Sequence, residues 1–576
     1  MIDSIGEQQS QEKIPEIVPI ISGKVNVADY LEAQALEQPC KRAVIVPRGR
    51  DKKTGKNLYS HVTFSQLLDV TNRYAWGFSG EGVKFADRVL VGLKPGIDLV
   101  AVTFALYKIG AVPVFIDPGM GKEGLLACIK QVRARVVIAE FKAHILAVLN
   151  KSAFSSVEKF YNVGDFQFGR MRSLQKLPFS RDNFPIVETQ GKDLAAILFT
   201  SGSTGTAKGV LYTHSIFAHQ IKLIRKAYKV TPEDVDMSIF PLFALFAVSM
   251  GMPTVIPDMD CSRPLSANPR KICRVIHDQG VTFSFGSPTF WDKMASFSVK
   301  HEVRFPSLRA LLMAGCSVPG ELHERFLENL LGPDGDVYVP YGATESLPLT
   351  TIKGSEVLMG MRERSEGGAG TCVGKGVTEK VEIRIIKIID QPIPDWDESM
   401  VLPSGEIGEI VVKGVIVTSE YFERPDANEK SKIREGRYTW HRMGDLGYFD
   451  EDGYLWFCGR KVDRVKLQDH ELYTDCCENV FNVHEKVKRS ALIPFNDSKG
   501  QTEAVIVVQP YEDFDLKDHS AVEKLKAEIL DIAGNNWVTK KITRVLVKQS
   551  FPVDVRHNAK IKRDLLTLWA AELLKN

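Results

Sequence analysis

Along the chain, short runs of β-branched and apolar residues alternate with longer apolar stretches. RVLVGL (88–93) leads to DLVAVTFALYKIGA (98–111) and then to VPVFI (112–116), which ends at Asp117-Pro118-Gly119. Strand, helix and strand in that order predict a βαβ unit and a parallel sheet buried on both faces. The pattern recurs in DLAAILF (193–199), a Gly-rich loop, a helix over about 214–229, and the strand VTFSFG (281–286). LRALLMAG (308–315) predicts another buried strand, with a helix opening near Pro319. After about residue 380 the texture changes: KVEIRIIKII, GEIGEIVVKG and GYLWFCGR are β-rich and divided by Gly and Asp-Gly turns, which predicts an antiparallel or barrel-like lobe. A charged stretch, RKVDRVK (460–466), then precedes two further strands, SALIPF and AVIVVQP, and a helix over about 519–533. The expected division is a polar leader over 1–25, a large body over 26–460 and a small α+β domain over 461–576.

Composition narrows the class. Among 576 residues, 74 Lys and Arg face 72 Asp and Glu, and a net charge of +2 is too balanced for nucleic acid or an anionic membrane as the main partner. The 9 cysteines are an odd count without a CxxC, and Cys476 and Cys477 are adjacent, so reduced thiols in a cytoplasmic protein are expected. The N-terminal run mixes acids and amides where a signal peptide has a basic start and an apolar core. Residues 239–256 carry no charge, but Pro241, Gly251 and Pro253 interrupt them, which predicts buried strand and helix rather than a membrane span.

Four stretches carry candidate chemistry. In ILFTSGSTGTAKGV (197–210) an apolar strand runs into small and hydroxylic residues. Gly202 and Gly205 let backbone N–H groups face outward, Thr200, Ser201, Ser203 and Thr204 bring hydroxyls, and Lys208 brings charge: a phosphate cradle. It is not a Walker A loop, because Ala207 precedes the lysine and Gly209 follows it. In YGATE (341–345), Tyr341 offers a stacking face, Thr344 a phosphate contact and Glu345 a Mg²⁺ ligand. In MGDLGYFDEDGYLWFCGR (443–460), Asp445 suits a ribose diol and Arg460 a phosphate. RHNAKIKR (556–563) sets Lys560 in a basic run. Read alone, each of the last three is matched by a bland alternative: a turn, a surface hairpin, a solvated face.

In this order the four stretches resemble the adenylate-forming superfamily of acyl-CoA synthetases, luciferases and adenylation domains, over nearly the whole chain. The resemblance implies an α/β fold: a large N-terminal body of two αβ sheets plus a distorted β-barrel, with a small mobile α+β C-terminal lid hinged near 460–466. It implies ATP as a substrate and Mg²⁺ as its counter-ion. Thr200, Ser201, Gly202, Ser203, Thr204, Gly205 and Lys208 would wrap the pyrophosphate end. Gly315, Cys316 and Ser317 would line the adenine, with Tyr341 stacked on it beside Gly342 and Ala343. Thr344 and Glu345 would serve phosphate and metal, Asp445 the ribose, Arg460 the ribose-phosphate end, and Lys560 would bridge the carboxylate and the α-phosphate.

Departures from the thioester-forming pattern point further. Ala244 stands where acyl-CoA ligases usually carry a His, and Asp469 where they carry a Gly. Instead FPLFALF, YGATESLP, WHRMGDLGYFD, LYTDCCE and PVDVRHNAKI resemble the β-lactone synthetases of bacterial long-chain olefin biosynthesis. That implies adenylation of a long-chain 2-alkyl-3-hydroxy acid, then attack of its own hydroxyl on the acyl carbon. Thiolase, ketoreductase and β-lactone decarboxylase are the implied pathway partners. Phe243, Ala244, Gly286 and Ser287 are the expected pocket residues. His214 and His441 lie near motifs as bases for the hydroxyl or as packing residues, and Cys316 as a thiol or a small adenine-lining residue. Two other classes compete: a ligase passing its adenylate to CoA or a carrier protein, and a non-catalytic scaffold of a multienzyme assembly.

Overall fold

A computed structural model describes residues 23–164, 171–200, 207–497, 500–553 and 560–575. The expected βαβ unit is present as Arg88–Gly92, the helix Ile97–Ile109 and Val112–Ile116. That helix is apolar on every side and 11 of its residues are buried, so it must lie inside the body. Gly110 ends it at φ 75°, where a Cβ would come within 2.5 Å of the Phe85 ring.

Two large sheets share one core. A seven-stranded sheet runs in the order Met171–Ser173, Lys159–Asn162, Val136–Ala139, Arg88–Gly92, Val112–Ile116, Leu194–Thr200 and Lys208–Thr213. All its pairs are parallel except the last, the Leu194–Thr200/Lys208–Thr213 hairpin. A 14-stranded sheet has a parallel centre, in which Asp236–Ser238, Phe283–Gly286, Ala310–Met313 and Asp336–Ala343 lie side by side. Helices Phe64–Gly80, Ile97–Ile109 and His214–Ala227 fill the space where apolar side chains of both sheets meet.

The β-rich region after residue 370 takes a different form from the expected barrel. Thr371–Gly376 pairs with Ser346–Lys353 on one side and Leu455–Arg460 on the other. Val381–Ile386, Gly408–Gly414 and Tyr438–Phe449 extend the same ladder, and no closed barrel occurs among the described residues. The uncharged 239–256 stretch forms the helix Phe243–Ser249 and the short strand Thr254–Val255. No helix among the described residues is long and apolar enough to cross a membrane.

Strands after Arg460 join neither large sheet. Val487–Asn496, Thr502–Pro510 and Arg544–Val547 form a three-stranded sheet, packed on Thr474–Phe481 and His519–Asn535 on one side and on Arg563–Lys575 on the other. This is the smaller α+β domain. The charged run that leads into it is tied down rather than solvated. Lys461 Nζ lies 2.9 Å from Glu409, and Arg464 bonds Asp390 at 2.9 Å and Glu471 at 3.0 Å.

Glu409 is the buried anchor of this junction. It accepts from Arg442 Nη2 at 2.6 Å as well as from Lys461, and the side chains of Glu409 and Arg442 are only 2% and 4% exposed. Glu409→Ala strands a buried guanidinium, which should cost about 3–5 kcal/mol. Asp395→Ala removes the exposed Arg434 pair and should change stability little. Denaturant unfolding of both variants checks the contrast; similar losses would contradict it.

Candidate active site

One cavity of about 3510 Å³ opens where the three structural units meet. Thr200 and Lys208 reach it from the seven-stranded sheet, Tyr341 and Asp445 from the larger sheet, and Asp475 and Lys560 from the C-terminal domain. Gly315, Cys316, Ser317, Gly342, Ala343, Thr344, Glu345 and Arg460 also line it, so residues up to 360 positions apart converge as the motifs predict. Ser201, Gly202, Ser203, Thr204 and Gly205 lie outside the described residues. On either side of them Thr200 and Lys208 are direct cross-strand partners, and a strand, not a helix, follows Lys208.

Asp445 organises one wall of the cavity. It sits on Tyr438–Phe449 directly across from Arg460 on Leu455–Arg460. Arg460 Nη1 donates to Asp445 Oδ1 at 2.6 Å, and Tyr341 Oη donates to Oδ2 at 2.7 Å. Burial pushes the Asp445 carboxyl above the usual range, against the pull of Arg460, the Tyr341 hydrogen bond and the Lys560 charge. Burial and the Asp445 charge raise the Tyr341 phenol, which keeps it a donor. Gly342 is required by close approach: a Cβ there would lie 2.5 Å from the Ser346 carbonyl oxygen. Tyr212 Oη donates to the Thr344 carbonyl at 2.7 Å and so ties the YGATE turn to the Leu194–Thr200/Lys208–Thr213 hairpin.

A second charged group surrounds Glu345. Tyr421 Oη donates to Glu345 Oε1 at 2.6 Å. The same tyrosine ring carries two ammonium groups, Lys208 Nζ at 4.9 Å and Lys432 Nζ at 5.4 Å from its centroid. Burial lowers the Lys208 pKa, with Glu345 opposing. Burial pushes Lys432 down to about 7, Glu345 opposing and Lys208 adding repulsion. Arg424 holds the far end of the glycine-rich run through a 3.2 Å bond to the Ala207 carbonyl. The sequence singled out neither Tyr421 nor Lys432; no local pattern marks a residue whose partner lies 76 positions away.

The remaining candidates divide clearly. Burial pushes the Cys316 thiol up to about 12, which disfavours the thiolate, and the residue lines the cavity wall. Ser317 Oγ donates to Asp475 Oδ1 at 3.1 Å across the body–domain seam. His214 is fully buried, accepts from the Val27 N–H at 3.1 Å, and belongs to the core. His441 lines the cavity and bonds the Ser431 carbonyl through Nδ1 at 3.2 Å, which places its proton on Nδ1 and leaves Nε2 an acceptor. Burial, then Lys432, hold its pKa well below the usual range.

Of the expected pocket residues, Phe243 lines the cavity, with Phe285 at 4.2 Å between ring centroids. Ala244, Gly286 and Ser287 are buried and lie outside the lining. Ala244 faces the core, a Cβ on Gly286 would meet Trp291 at 2.6 Å, and Ser287 caps the helix Pro288–Lys300. Asp469 is also away from the cavity, 66% exposed and paired with His470 and Lys541.

The AMP-binding enzyme model matches residues 31–422, and the chain belongs to that family. Among curated relatives, an olefin beta-lactone synthetase of Xanthomonas campestris is 38% identical over 95% of this chain and 98% of its own length. One of Stenotrophomonas maltophilia is 37% identical over 96% and 99%. Among solved structures, an amide bond synthetase, McbA, of Marinactinospora thermotolerans superposes with a TM-score of 0.74 at 20% identity, covering 94% of this chain and 99% of its own. The Bacillus subtilis o-succinylbenzoate coenzyme A synthetase with AMP superposes at 0.71 and 21% identity, covering 93% and 97%. These structures share the fold of a large sheet body and a smaller C-terminal domain.

Lys432 gives a pH test of the buried charge cluster. Its folded pKa lies below the unfolded value of about 10.4, so between about 7 and about 10 the unfolded chain holds a proton that the folded chain lacks. Its contribution therefore penalises stability fully below about pH 7 and fades as pH rises through that window. The melting-temperature difference, Lys432→Met minus wild type, should fall as pH is raised from about 7 to about 10. A flat difference would contradict the burial of this charge.

Proposed function

We propose that the chain is an ATP-dependent, AMP-forming β-lactone synthetase acting on a long-chain 2-alkyl-3-hydroxy acid. The observation that carries the reading is 37–38% identity to olefin beta-lactone synthetases over 95–96% of the chain. A cavity holding both the charged motif residues and an aromatic wall supports it.

In this reading the phosphates of ATP lie against Thr200, Lys208 and the 201–205 run, the adenine against Gly315-Cys316-Ser317 and Tyr341, and the ribose on Asp445. Glu345, pinned by Tyr421, would hold a Mg²⁺, because such ions are held by one or two carboxylates together with substrate phosphates. Among the described residues no cluster of three or more His, Cys, Asp or Glu competes for it. When bound, the ion offsets the negative charge of the phosphates. A carboxylate that attacks the α-phosphorus meets a polyanion, and Lys208 and Lys560 are the cations that neutralise the oxygens where charge develops. Pyrophosphate leaves and the acyl-adenylate remains. The β-hydroxyl then attacks the acyl carbon, loses its proton, and AMP departs as the four-membered ring closes. Holding the hydroxyl beside the carbonyl offsets part of the ring strain.

Residues 461–576 act as a lid on the 26–460 body, hinged at the Lys461–Asp463 turn. The reading also carries a cytoplasmic location, which nine free cysteines support, and work beside a thiolase, a ketoreductase and a β-lactone decarboxylase.

With a racemic 2-alkyl-3-hydroxy acid, ATP and Mg²⁺ and no thiol, mass spectrometry should find a product equal to substrate minus water, with AMP and pyrophosphate released. A strict requirement for CoA and a thioester product would overturn the reading. Lys560→Ala should keep ATP affinity and slow pyrophosphate release by about 10²–10³-fold, as for loss of a donor used in the transition state. Asp445→Ala should weaken ATP binding itself by about 10–100-fold, since a ribose contact exists before reaction. Calorimetry and a pyrophosphate assay separate the two; equal losses in both would remove the assigned roles.

A further inference from the structure

The cavity is several times larger than an ordinary ligand pocket of roughly 300–1,000 Å³. Its lining shows why: it touches both faces of the seven-stranded sheet. Successive side chains on a strand point to opposite faces, and the parallel register fixes which residues share a face. Leu90 pairs with Val137, Ile116 with Phe199, and Gly92 with Ala139, so Leu90, Ile116, Val137, Ala139 and Phe199 lie on one face. Val91, Phe115, Ala196 and Leu198 lie on the other, as the Phe115–Leu198 pair shows. All nine line the cavity.

Each face has its own apolar cover. On the Val91 side the cavity runs past Tyr107, Phe217 and Ile224 to the aromatic wall of Phe240, Phe243 and Phe285. On the Leu90 side it runs under two helices, meeting Leu125 and Ile129 one turn apart on Gly121–Val132, Ala143 and Leu146 on Phe141–Leu149, and Phe154. The second helix also exposes Phe141, Ile145, Val148 and Leu149 on its outer side. A chain that outgrows this branch therefore meets apolar surface. Thr200 and Lys208, which flank the 201–205 run, line the same cavity as both branches.

We propose that the Leu90-face branch, beneath helices Gly121–Val132 and Phe141–Leu149, is a second alkyl-chain subsite, so that the central strands of the sheet part the two arms of the substrate, one along each face. This rests on the function proposed above. A 2-alkyl-3-hydroxy acid branches at the carbon next to its carboxylate, so a site for it must fork beside the reacting group. A straight-chain acid needs one tunnel only. Each methylene buried in such a branch contributes about 0.8 kcal/mol, which makes arm length a sensitive probe.

The test compares three hydroxy acids: both arms long, the 2-alkyl arm shortened, or the 3-position arm shortened. Ala143→Phe fills the branch and Leu125→Ala widens it. Ala143→Phe should lower kcat/KM at least about tenfold for the long acid, with most of the loss recovered by shortening one particular arm and not the other. Leu125→Ala should move the preferred length of that same arm up by about two carbons and leave the other arm's preference unchanged. Loss that is equal for all three acids in a folded Ala143→Phe protein, or an unmoved arm preference in Leu125→Ala, overturns the second subsite. Should Ala143→Phe not fold, the Leu125→Ala result decides alone. In either of those failures the wild type still makes lactone, so the proposed function stands. If the wild type makes lactone from none of the acids, the function itself fails and the subsite with it.

Discussion

The interaction on which the rest of the site depends is the clasp around Asp445. A carboxylate buried this far from water survives only with charged or hydrogen-bonding partners, and it has one on each oxygen, Arg460 and Tyr341. Those partners come from two other strands of the larger sheet. The clasp thus locks the YGATE turn to the Leu455–Arg460 strand, and with it the start of the segment that leads into the C-terminal domain. Lys560 of the C-terminal domain lies close enough for its charge to act on the same carboxylate. The Tyr341 strand, the Leu455–Arg460 strand and Lys560 are therefore coupled through one acid. Glu345 repeats the design beside Lys208, with Tyr421 as its donor and two lysines at the ring.

Much of the fold was legible because parallel strands buried on both faces leave continuous apolar runs. RVLVG, VPVFI and ALLM announce themselves, and the helix Ile97–Ile109 is long and apolar enough to be read between them. The texture change near residue 380 marked real antiparallel strands, but not how they close. Whether Thr371–Gly376 curls into a barrel or extends the ladder from Ser346–Lys353 depends on edge pairing between strands far apart in sequence, and no periodicity encodes that. The run RKVDRVK was legible as a charged stretch but not its partners, because Glu409 and Asp390 lie 52 and 74 positions away.

The site divides in the same way. Motifs that put several polar residues on one turn, such as YGATE and MGDLGYFDEDG, survive as local geometry and meet in the cavity. Of the pocket residues inferred from position alone, only Phe243 reaches it. Phe285 faces the cavity while Gly286, the next residue on the same strand, faces Trp291, because alternation decides which side chain a motif presents. Phe243 and Ala244 divide likewise on the first turn of their helix. Tyr421, Lys432 and the branch beneath Gly121–Val132 were invisible because each exists only through a tertiary neighbour.

The account turns on which oxygen is activated. In the proposed reaction Lys208, Lys560 and Mg²⁺ would serve the phosphates, the carboxylate is the group that attacks ATP, and the hydroxyl is the internal nucleophile. Supplying a hydroxy acid with heavy oxygen in both carboxylate positions tests this directly. The account predicts that AMP carries one heavy oxygen and the lactone keeps one, in its carbonyl, with an unlabelled ring oxygen. AMP free of label, with both heavy oxygens retained in the lactone, would mean that the hydroxyl is adenylated instead and would contradict it.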